Sequence, residues 1–96
     1  MKPDIWEAPA EAEFDAALAA SRNPAEFRKT IAEAIQDVAT GRIVHAAIPR
    51  SPCRECILTT LPYSIIYVET ASEIRIYAFV HHKRRSGYWK RRLRPN

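Results

Sequence analysis

Apolar residues recur with helical spacing in two stretches of the first 40 residues. They are Ala10, Phe14, Ala17 and Leu18 in the first stretch, and Phe27, Ile31, Ala34, Ile35 and Val38 in the second. Residues three or four apart share one face of a helix, so each stretch predicts an amphipathic helix. Glu13 lies where it favours the dipole of the first helix, Asn23 and Pro24 fit the start of the second, and Gly41 fits its end. The short connection predicts an antiparallel helix hairpin over about residues 9–40.

Three later segments are rich in β-branched and aromatic residues and are separated by short breaks. They cover residues 54–60, 63–69 and 73–81, a spacing that predicts an antiparallel meander. The middle segment is apolar at both parities, as expected of a central strand that is covered on both faces. Residues 3–9 predict a short first strand, and residues 43–52 predict a loop with an edge element.

The last β segment alternates between two kinds of side chain. Ile74, Ile76, Ala78 and Val80 are predicted to face the helices, and Arg75, Tyr77, Phe79 and His81 are predicted to face the other way. That second face should be aromatic and basic, and it leads into a basic C-terminal segment, residues 82–96. The predicted fold is α+β, with the helix hairpin packed on one face of a small antiparallel sheet at about 54–81, in a single domain over residues 1–96.

Charge is distributed unevenly along the chain, whose net charge is +4. Residues 1–40 carry eight acids and four bases, a net charge of −4, and residues 41–96 carry three acids and eleven bases, a net charge of +8. The stretch from His81 to Arg92 contains six Lys and Arg residues, interrupted by Tyr88 and Trp89. Because exposed tails rarely carry Trp, we expect the rings to dock and to hold the cations in place. The asymmetry predicts an acidic partner.

Other chemical motifs are few. Cys53 and Cys56 form a Cys-x-x-Cys pair that supplies two of four zinc ligands, which His81 or His82 would have to complete. Nothing else in the sequence supports such a site, so we interpret both cysteines as structural and predict no metal and no cofactor. Structural or hydrogen-bonding roles are also expected for His45 and the other two histidines. With two glycines in the chain, a Gly-rich phosphate loop is excluded, and no Ser-His-Asp pattern or paired-carboxylate site is found.

The sequence also bears on location. No apolar run approaches the ~20 residues that a membrane span needs, and the acidic N-terminal stretch does not look like a signal peptide. Two cysteines without a secretion signal predict a reducing, cytoplasmic location. We expect neither a membrane partner nor a small-molecule substrate.

Two stretches of the C-terminal half resemble a known family. "LPYSIIYVE" followed by "IRIYAFVHHKRRSGYWKRRL" is similar to the RelE/ParE family of toxins from bacterial type II toxin–antitoxin systems, which includes plasmid stabilisation proteins. The residues that carry the resemblance are Pro62, Tyr63, Ile65, Tyr67, Ala78, His81, Arg84, Arg85, Tyr88 and Trp89. In the front half, "AEAEFDAAL" resembles the first helix of the family. The resemblance implies the α+β fold and a growth-inhibiting toxin that a cognate antitoxin neutralises.

The family has two branches with different activities. RelE-like members cut mRNA in the ribosome with basic residues on the central strands and an Arg and a Tyr near the C-terminus, whereas ParE-like members lack most of that set and poison DNA gyrase. In this chain Glu55, Ile57 and Ser64 stand where the nuclease branch has its basic residues, and only Arg84 and Tyr88 remain. A carboxylate opposes the extra negative charge of a transferring phosphate, so the resemblance favours the ParE-like branch, without catalytic residues.

These observations predict a toxin that binds a nucleic-acid enzyme, DNA gyrase by resemblance, and performs no chemistry of its own. One alternative is a RelE-like, ribosome-dependent mRNA endonuclease with Arg84 and Tyr88 as catalytic residues. A second alternative is a non-toxic binding module of the same fold. The predicted partner-binding residues are His81, Lys83, Arg84, Arg85, Tyr88, Trp89, Lys90, Arg91 and Arg92.

Overall fold

The structure is a computed structural model that describes residues 2–93. In chain order its elements are β1 (Asp4–Trp6), α1 (Ala8–Ala19), α2 (Pro24–Ala39), β2 (Ala46–Ala47), β3 (Arg54–Ile57), β4 (Tyr63–Glu69), β5 (Ile74–His81) and a 3-10 helix, η1 (Tyr88–Leu93). Residues 94–96, the end of the predicted basic segment, lie outside the described residues. No helix in the described part of the chain is long and apolar enough to cross a membrane.

The two helices form where the apolar periodicity predicts them. The Asn23 side chain accepts a hydrogen bond from the backbone N–H of Glu26 at 3.2 Å, which caps the start of α2. The end of α2 is closed by Gly41 at φ 72°, and the N–H of Arg42 donates to the carbonyl of Asp37 at 2.9 Å. Glycine adopts this left-handed conformation without steric cost. The apolar stripes of both helices pack on one face of the sheet, the helix face.

The sheet contains five strands in the order β1-β5-β4-β3-β2. Strands β3, β4 and β5 pair antiparallel, as the predicted meander requires, although β3 ends at Ile57 instead of residue 60. The short strand β1 pairs parallel with β5, and the two-residue strand β2 forms the other edge beside β3. The face opposite the helices, here called the open face, is covered in part by η1, whose Trp89 packs on it.

A β-bulge at Tyr77 interrupts the alternation of β5. Ile76 pairs with Tyr67, and the next paired residue, Ala78, is opposite Ile66. Two residues of β5 therefore advance against one residue of β4, and Tyr77 is the extra residue. Beyond a bulge of this kind, side chains that would have faced one side of the sheet face the other.

The bulge makes part of the orientation predicted for β5 wrong. Ile74 and Ile76 precede it and face the helices as predicted. Ala78 and Val80 follow it and lie in the open-face cluster, whereas Phe79 lies in the helix-face core. A strict two-residue period assigns these three residues to the opposite faces, because an inserted residue leaves no mark on the hydrophobic pattern.

Candidate partner-binding surface

The basic segment is anchored to the open face of the sheet by Trp89. This side chain is 4% exposed and packs against Cys53, Ile66 and Ala78. Gly87, at φ 77°, provides the left-handed turn that leads into η1. Burying an aromatic ring of this size fixes the segment on the body of the protein. The prediction that a ring docks and holds the neighbouring cations in place is therefore confirmed for Trp89.

Glu13 of α1 provides a second anchor. Its carboxylate accepts hydrogen bonds from two guanidinium nitrogens of Arg92 at 2.8 and 3.2 Å, from the hydroxyl of Tyr88, and from the N–H of Phe79 at 3.1 Å. Arg92 also donates to the carbonyl of Tyr77 at 3.0 Å. Strand β1 ends before this part of β5, which would otherwise be an open strand edge. Glu13 and Arg92 form hydrogen bonds with the backbone groups of Phe79 and Tyr77 at this edge.

The contacts of Glu13 determine the charge state of this anchor. Burial raises the pKa of Glu13, but the hydrogen bonds from Arg92, Tyr88 and Phe79 outweigh it and hold the pKa below its usual range. Burial and the hydrogen bond to the Glu13 carboxylate raise the pKa of Tyr88 to about 12. Arg84 places its guanidinium carbon 3.9 Å from the centre of the Tyr88 ring, a cation–π contact. Tyr88 is therefore a neutral donor with both its hydroxyl and its ring engaged.

Sequence reasoning missed this role of Glu13 and assigned the residue only to the helix dipole. Its partners lie 66 to 79 positions away along the chain. The one local signal is that Glu13 directly precedes Phe14 and so lies at the border of the apolar stripe of α1. A carboxylate at such a border is half-buried once the helix packs and then needs donors.

The predicted partner-binding cations separate into two groups. Arg84 and Arg92 contact Glu13, at 3.9 Å and 2.8 Å respectively. The other four are exposed, and within residues 2–93 they form no ion pair; they are Lys83, Arg85, Lys90 and Arg91, called here the exposed cations. The exposed cations are thus available to a partner, whereas Arg84 and Arg92 also hold the segment in place.

The two adjacent histidines support the turn that follows β5. His81 accepts a hydrogen bond at Nδ1 from the N–H of Lys83 at 3.0 Å, and its ring lies edge-on to Tyr63 with centroids 5.1 Å apart. His82 Nε2 lies 3.1 Å from the hydroxyl oxygen of Ser64, which is 1% exposed. Both histidines thus have the hydrogen-bonding role that the sequence predicts, and His81, predicted to bind a partner, stands at the base of the basic segment.

A cleft of about 350 Å³ lies on the open face beside η1. Among its lining residues are the apolar Ile48, Ile57, Ile66, Val80 and Trp89, and the polar or charged Glu55, Ser64, His81, His82, Arg84 and Lys90. Glu55 and Ile57 follow one another on the open face of β3, and Ile57 pairs with Ser64 of β4. The three positions that the resemblance aligns with basic residues of the nuclease branch therefore meet in one cleft, which has an acid, an isoleucine and a buried hydroxyl there.

The two cysteines lie on opposite faces of the sheet. Cys53 packs with Trp89 in the open-face cluster, and Cys56 lies in the helix-face core. Burial raises the pKa of both thiols. Within residues 2–93, no group of three or more His, Cys, Asp or Glu side chains is placed to hold a metal ion. The arrangement fits two separate packing residues and does not form a paired ligand set.

Comparison with solved structures identifies an architecture of the same kind. A chain of the structure described as "Chromosomal ParDE TA system from P. aeruginosa" matches with a TM-score of 0.63 and 19% sequence identity, covering 84% of this chain and 95% of that chain. The likeness is one of fold. The predicted fold class, α+β with a helix hairpin on one face of a small antiparallel sheet, is confirmed by this neighbour and by the strand pairing, with the short strand β1 added in parallel. No family model matches the chain, and no curated protein matches it in sequence.

Proposed function

We propose that this protein is the toxin of a type II toxin–antitoxin module of the ParE-like kind. It acts by binding a nucleic-acid enzyme, DNA gyrase, and a cognate antitoxin neutralises it. The observation that carries the proposal is the cleft on the open face, where Glu55, Ile57 and Ser64 lie together. The family resemblance aligns these three positions with the basic residues of the nuclease branch. The fold shared with a chain of a ParDE toxin–antitoxin system supports the type of module.

The composition of the cleft argues for binding without phosphoryl transfer. Attack of a 2′-hydroxyl on phosphate requires cations aimed at the charge that develops in the transition state. Glu55 points the opposite charge into the cleft, and Ile57 is 61% exposed and supplies no charge. Both residues come from β3, a strand inside the sheet, so their positions are fixed by the strand pairing.

The exposed cations provide the surface for the target. They lie on a segment that Trp89 and Arg92 already fix to the sheet, so little backbone entropy is lost when a partner binds them. A cluster of cations attracts an acidic protein surface and raises the association rate at low salt. The same property suits an antitoxin whose acidic, partly disordered segment folds on binding.

A second candidate, the RelE-like mRNA endonuclease, is favoured by one observation: Arg84, Lys90 and His82 border the cleft together. The other member of the proposed catalytic pair fits less well. Tyr88 is absent from the described residues that line the cleft, and its hydroxyl is bonded to Glu13. A phenol with a pKa of about 12 is a poor proton shuttle near neutral pH.

Induced expression in a bacterial host without an antitoxin tests these readings, with pulse labelling of DNA, RNA and protein synthesis. The proposal predicts that DNA synthesis stops first while protein synthesis continues. Immediate arrest of protein synthesis with cleaved mRNA would contradict the proposal and support the endonuclease. Normal growth in cells that contain the folded protein would support the non-toxic binding module. A small open reading frame beside this one, encoding an acidic protein that restores growth, is the expected antitoxin.

A charge-reversal pair makes the test specific to the surface. One variant changes Lys83, Arg85, Lys90 and Arg91 to Glu; the control reverses three exposed cations of the helix hairpin region, Arg22, Arg28 and Lys29. We expect the first variant to lose toxicity and the control to retain it, since only the first removes the exposed cations. Equal loss in both would indicate that net charge matters and the surface does not.

A further inference from the structure

The cleft on the open face continues into a second cleft at the β2 edge. The second cleft has a volume of about 560 Å³ and shares Ile48, Glu55, Ile57, Ser86 and Lys90 with the first. Its other lining residues are Ala46, Ala47, Pro49 and Arg50 of β2 and the loop after it. Together the two clefts form one groove, the open-face groove, from Arg84 beside η1 to Arg50 at the edge of the sheet.

The middle of the groove is apolar and accessible. Ile57, the last residue of β3, lies beyond the pairing with β2 and is 61% exposed, and the half-buried Ile48 lines the same cleft. A large apolar side chain exposed inside a concave surface marks a binding site more often than one exposed alone on a convex surface. The occupant therefore contributes an apolar side chain at this point.

The ends of the groove are cationic. Arg84 borders one end and Arg50 the other, while Lys90 lies where the two clefts meet, with Glu55 as the one acid among the described lining residues of either cleft. A ligand that spans the groove therefore carries negative charge on both sides of its apolar group and avoids negative charge near Glu55.

A single-stranded nucleic acid fits this pattern poorly. Proteins that bind one use exposed aromatic rings on which bases stack. Here Trp89 is 4% exposed, and Tyr88 is covered by Arg84 and bonded to Glu13. An unbroken row of phosphates would also place a charge beside Glu55. An extended peptide avoids both problems, because its side chains alternate and its charges need not be continuous.

We propose that the open-face groove binds an extended peptide segment of a protein partner in which carboxylates flank an apolar side chain. The apolar side chain packs on Ile57 and Ile48, and the carboxylates pair with Arg84 at one end, with Arg50 at the other, and with Lys90 between them. This inference rests on the proposed function only where it assigns the peptide segment to the antitoxin. The groove itself is defined by its lining residues and their charges.

Fluorescence anisotropy with the full-length protein tests the proposal. The probe is a labelled peptide of about eight residues, roughly 26 Å long when extended, with acidic residues on both sides of a single Leu. The comparison probes are an all-acidic peptide of the same charge and an oligouridylate of the same charge. We expect the Leu-containing peptide to bind about tenfold more tightly than either.

Two variants of the groove and two controls locate the site. Ile57→Asn and Lys90→Glu should each weaken peptide binding about tenfold. Val44→Asn, at a residue 77% exposed outside the groove, and Lys29→Glu, on α2, should leave it unchanged. Circular dichroism and a urea unfolding curve establish that each variant is folded before binding is measured.

Three results would overturn the proposal: no peptide binding, equal binding of the all-acidic peptide, or tighter binding of the oligouridylate with loss in Ile57→Asn. The pulse-labelling experiment fails separately. Arrest of DNA synthesis without peptide binding would contradict the peptide-binding groove but not the toxin function. Peptide binding by a protein that does not arrest growth would contradict the toxin function but not the groove.

Discussion

The ion pair between Glu13 and Arg92 makes the clearest quantitative prediction about stability. Replacing Glu13 with Gln keeps the shape of the side chain but removes its charge. The amide oxygen replaces one acceptor, while the amide N–H₂ group faces donors of Arg92 or Tyr88. The substitution therefore removes a charge-assisted pair and places donors against each other.

The size of the effect follows from the burial of the pair. The side chains of Glu13 and Arg92 are 16% and 21% exposed, so solvent screens them only in part. Hydrogen bonds to charged groups contribute about 1.5–3 kcal/mol, and breaking a fully buried ion pair costs about 3–5 kcal/mol. For this partly buried pair we expect Glu13→Gln to lower the free energy of unfolding by about 2–3 kcal/mol. In a domain of this size that lowers Tm by about 10–20 °C.

Urea unfolding at several pH values measures the effect and its origin. The pKa of Glu13 is lowered in the folded protein from the ordinary value of 4.5, so its stabilisation is complete above that value and is lost as the pH falls through the folded pKa. The difference between wild type and Glu13→Gln should therefore be constant near neutral pH and shrink as the pH falls below 4.5.

Glu33→Gln is the matched control, because Glu33 is exposed on α2. Surface substitutions of this kind usually change stability by less than about 0.5 kcal/mol. An equal loss in the free energy of unfolding for both variants at pH 7 would contradict the role of the Glu13–Arg92 ion pair. So would a loss in Glu13→Gln that is as large at acidic pH as at neutral pH.

Three further predictions concern neighbouring contacts. Tyr88→Phe should lower the free energy of unfolding by about 1–2 kcal/mol, since it removes a hydrogen-bond donor to the Glu13 carboxylate, whereas the control Tyr77→Phe should leave it unchanged. Toxicity in cells should be retained in Tyr88→Phe. Loss of toxicity in this variant while it is folded would favour the endonuclease. Trp89→Ala should cost about 3–5 kcal/mol and expose η1 to limited proteolysis; unchanged protease resistance would contradict the anchoring role. Burial, aided by Arg54 and opposed by Asp37, lowers the pKa of His45, whose Nδ1 lies 2.9 Å from the Tyr67 hydroxyl. The free energy of unfolding should therefore fall as the pH drops below 6.5, and His45→Gln should make this pH dependence weaker. An unchanged pH dependence of urea unfolding in His45→Gln would refute the assignment.

The elements of this fold were predictable because their signals are local. The stripe from Phe27 to Val38 determines which face of α2 is buried, and Asn23 with Gly41 determines where the helix starts and stops. The three longer strands follow from runs of β-branched and aromatic residues. The bulge at Tyr77 was not predictable, because it comes from the pairing between two strands and leaves the sequence pattern unchanged.

The candidate surface was predictable only in part. The cations and rings of the basic segment stand out in the sequence, and the buried Trp89 shows why the ring is needed. Which cations of the basic segment form an ion pair depends on Glu13, and that contact joins residues brought together by the tertiary fold alone. The placement of Cys53 and Cys56 on opposite faces was not predicted, because Cys53 precedes β3 and follows no strand alternation.

We propose that this protein inhibits a nucleic-acid enzyme by binding it through the exposed cations, and that the protein itself performs no chemistry. The most direct measurement is DNA supercoiling by purified gyrase in the presence of the purified protein. We expect inhibition by the wild type, none by the variant with Lys83, Arg85, Lys90 and Arg91 changed to Glu, and full inhibition by the helix control with Arg22, Arg28 and Lys29 reversed. Undiminished supercoiling, together with mRNA cleavage when the same preparation is added to translating ribosomes, would contradict it.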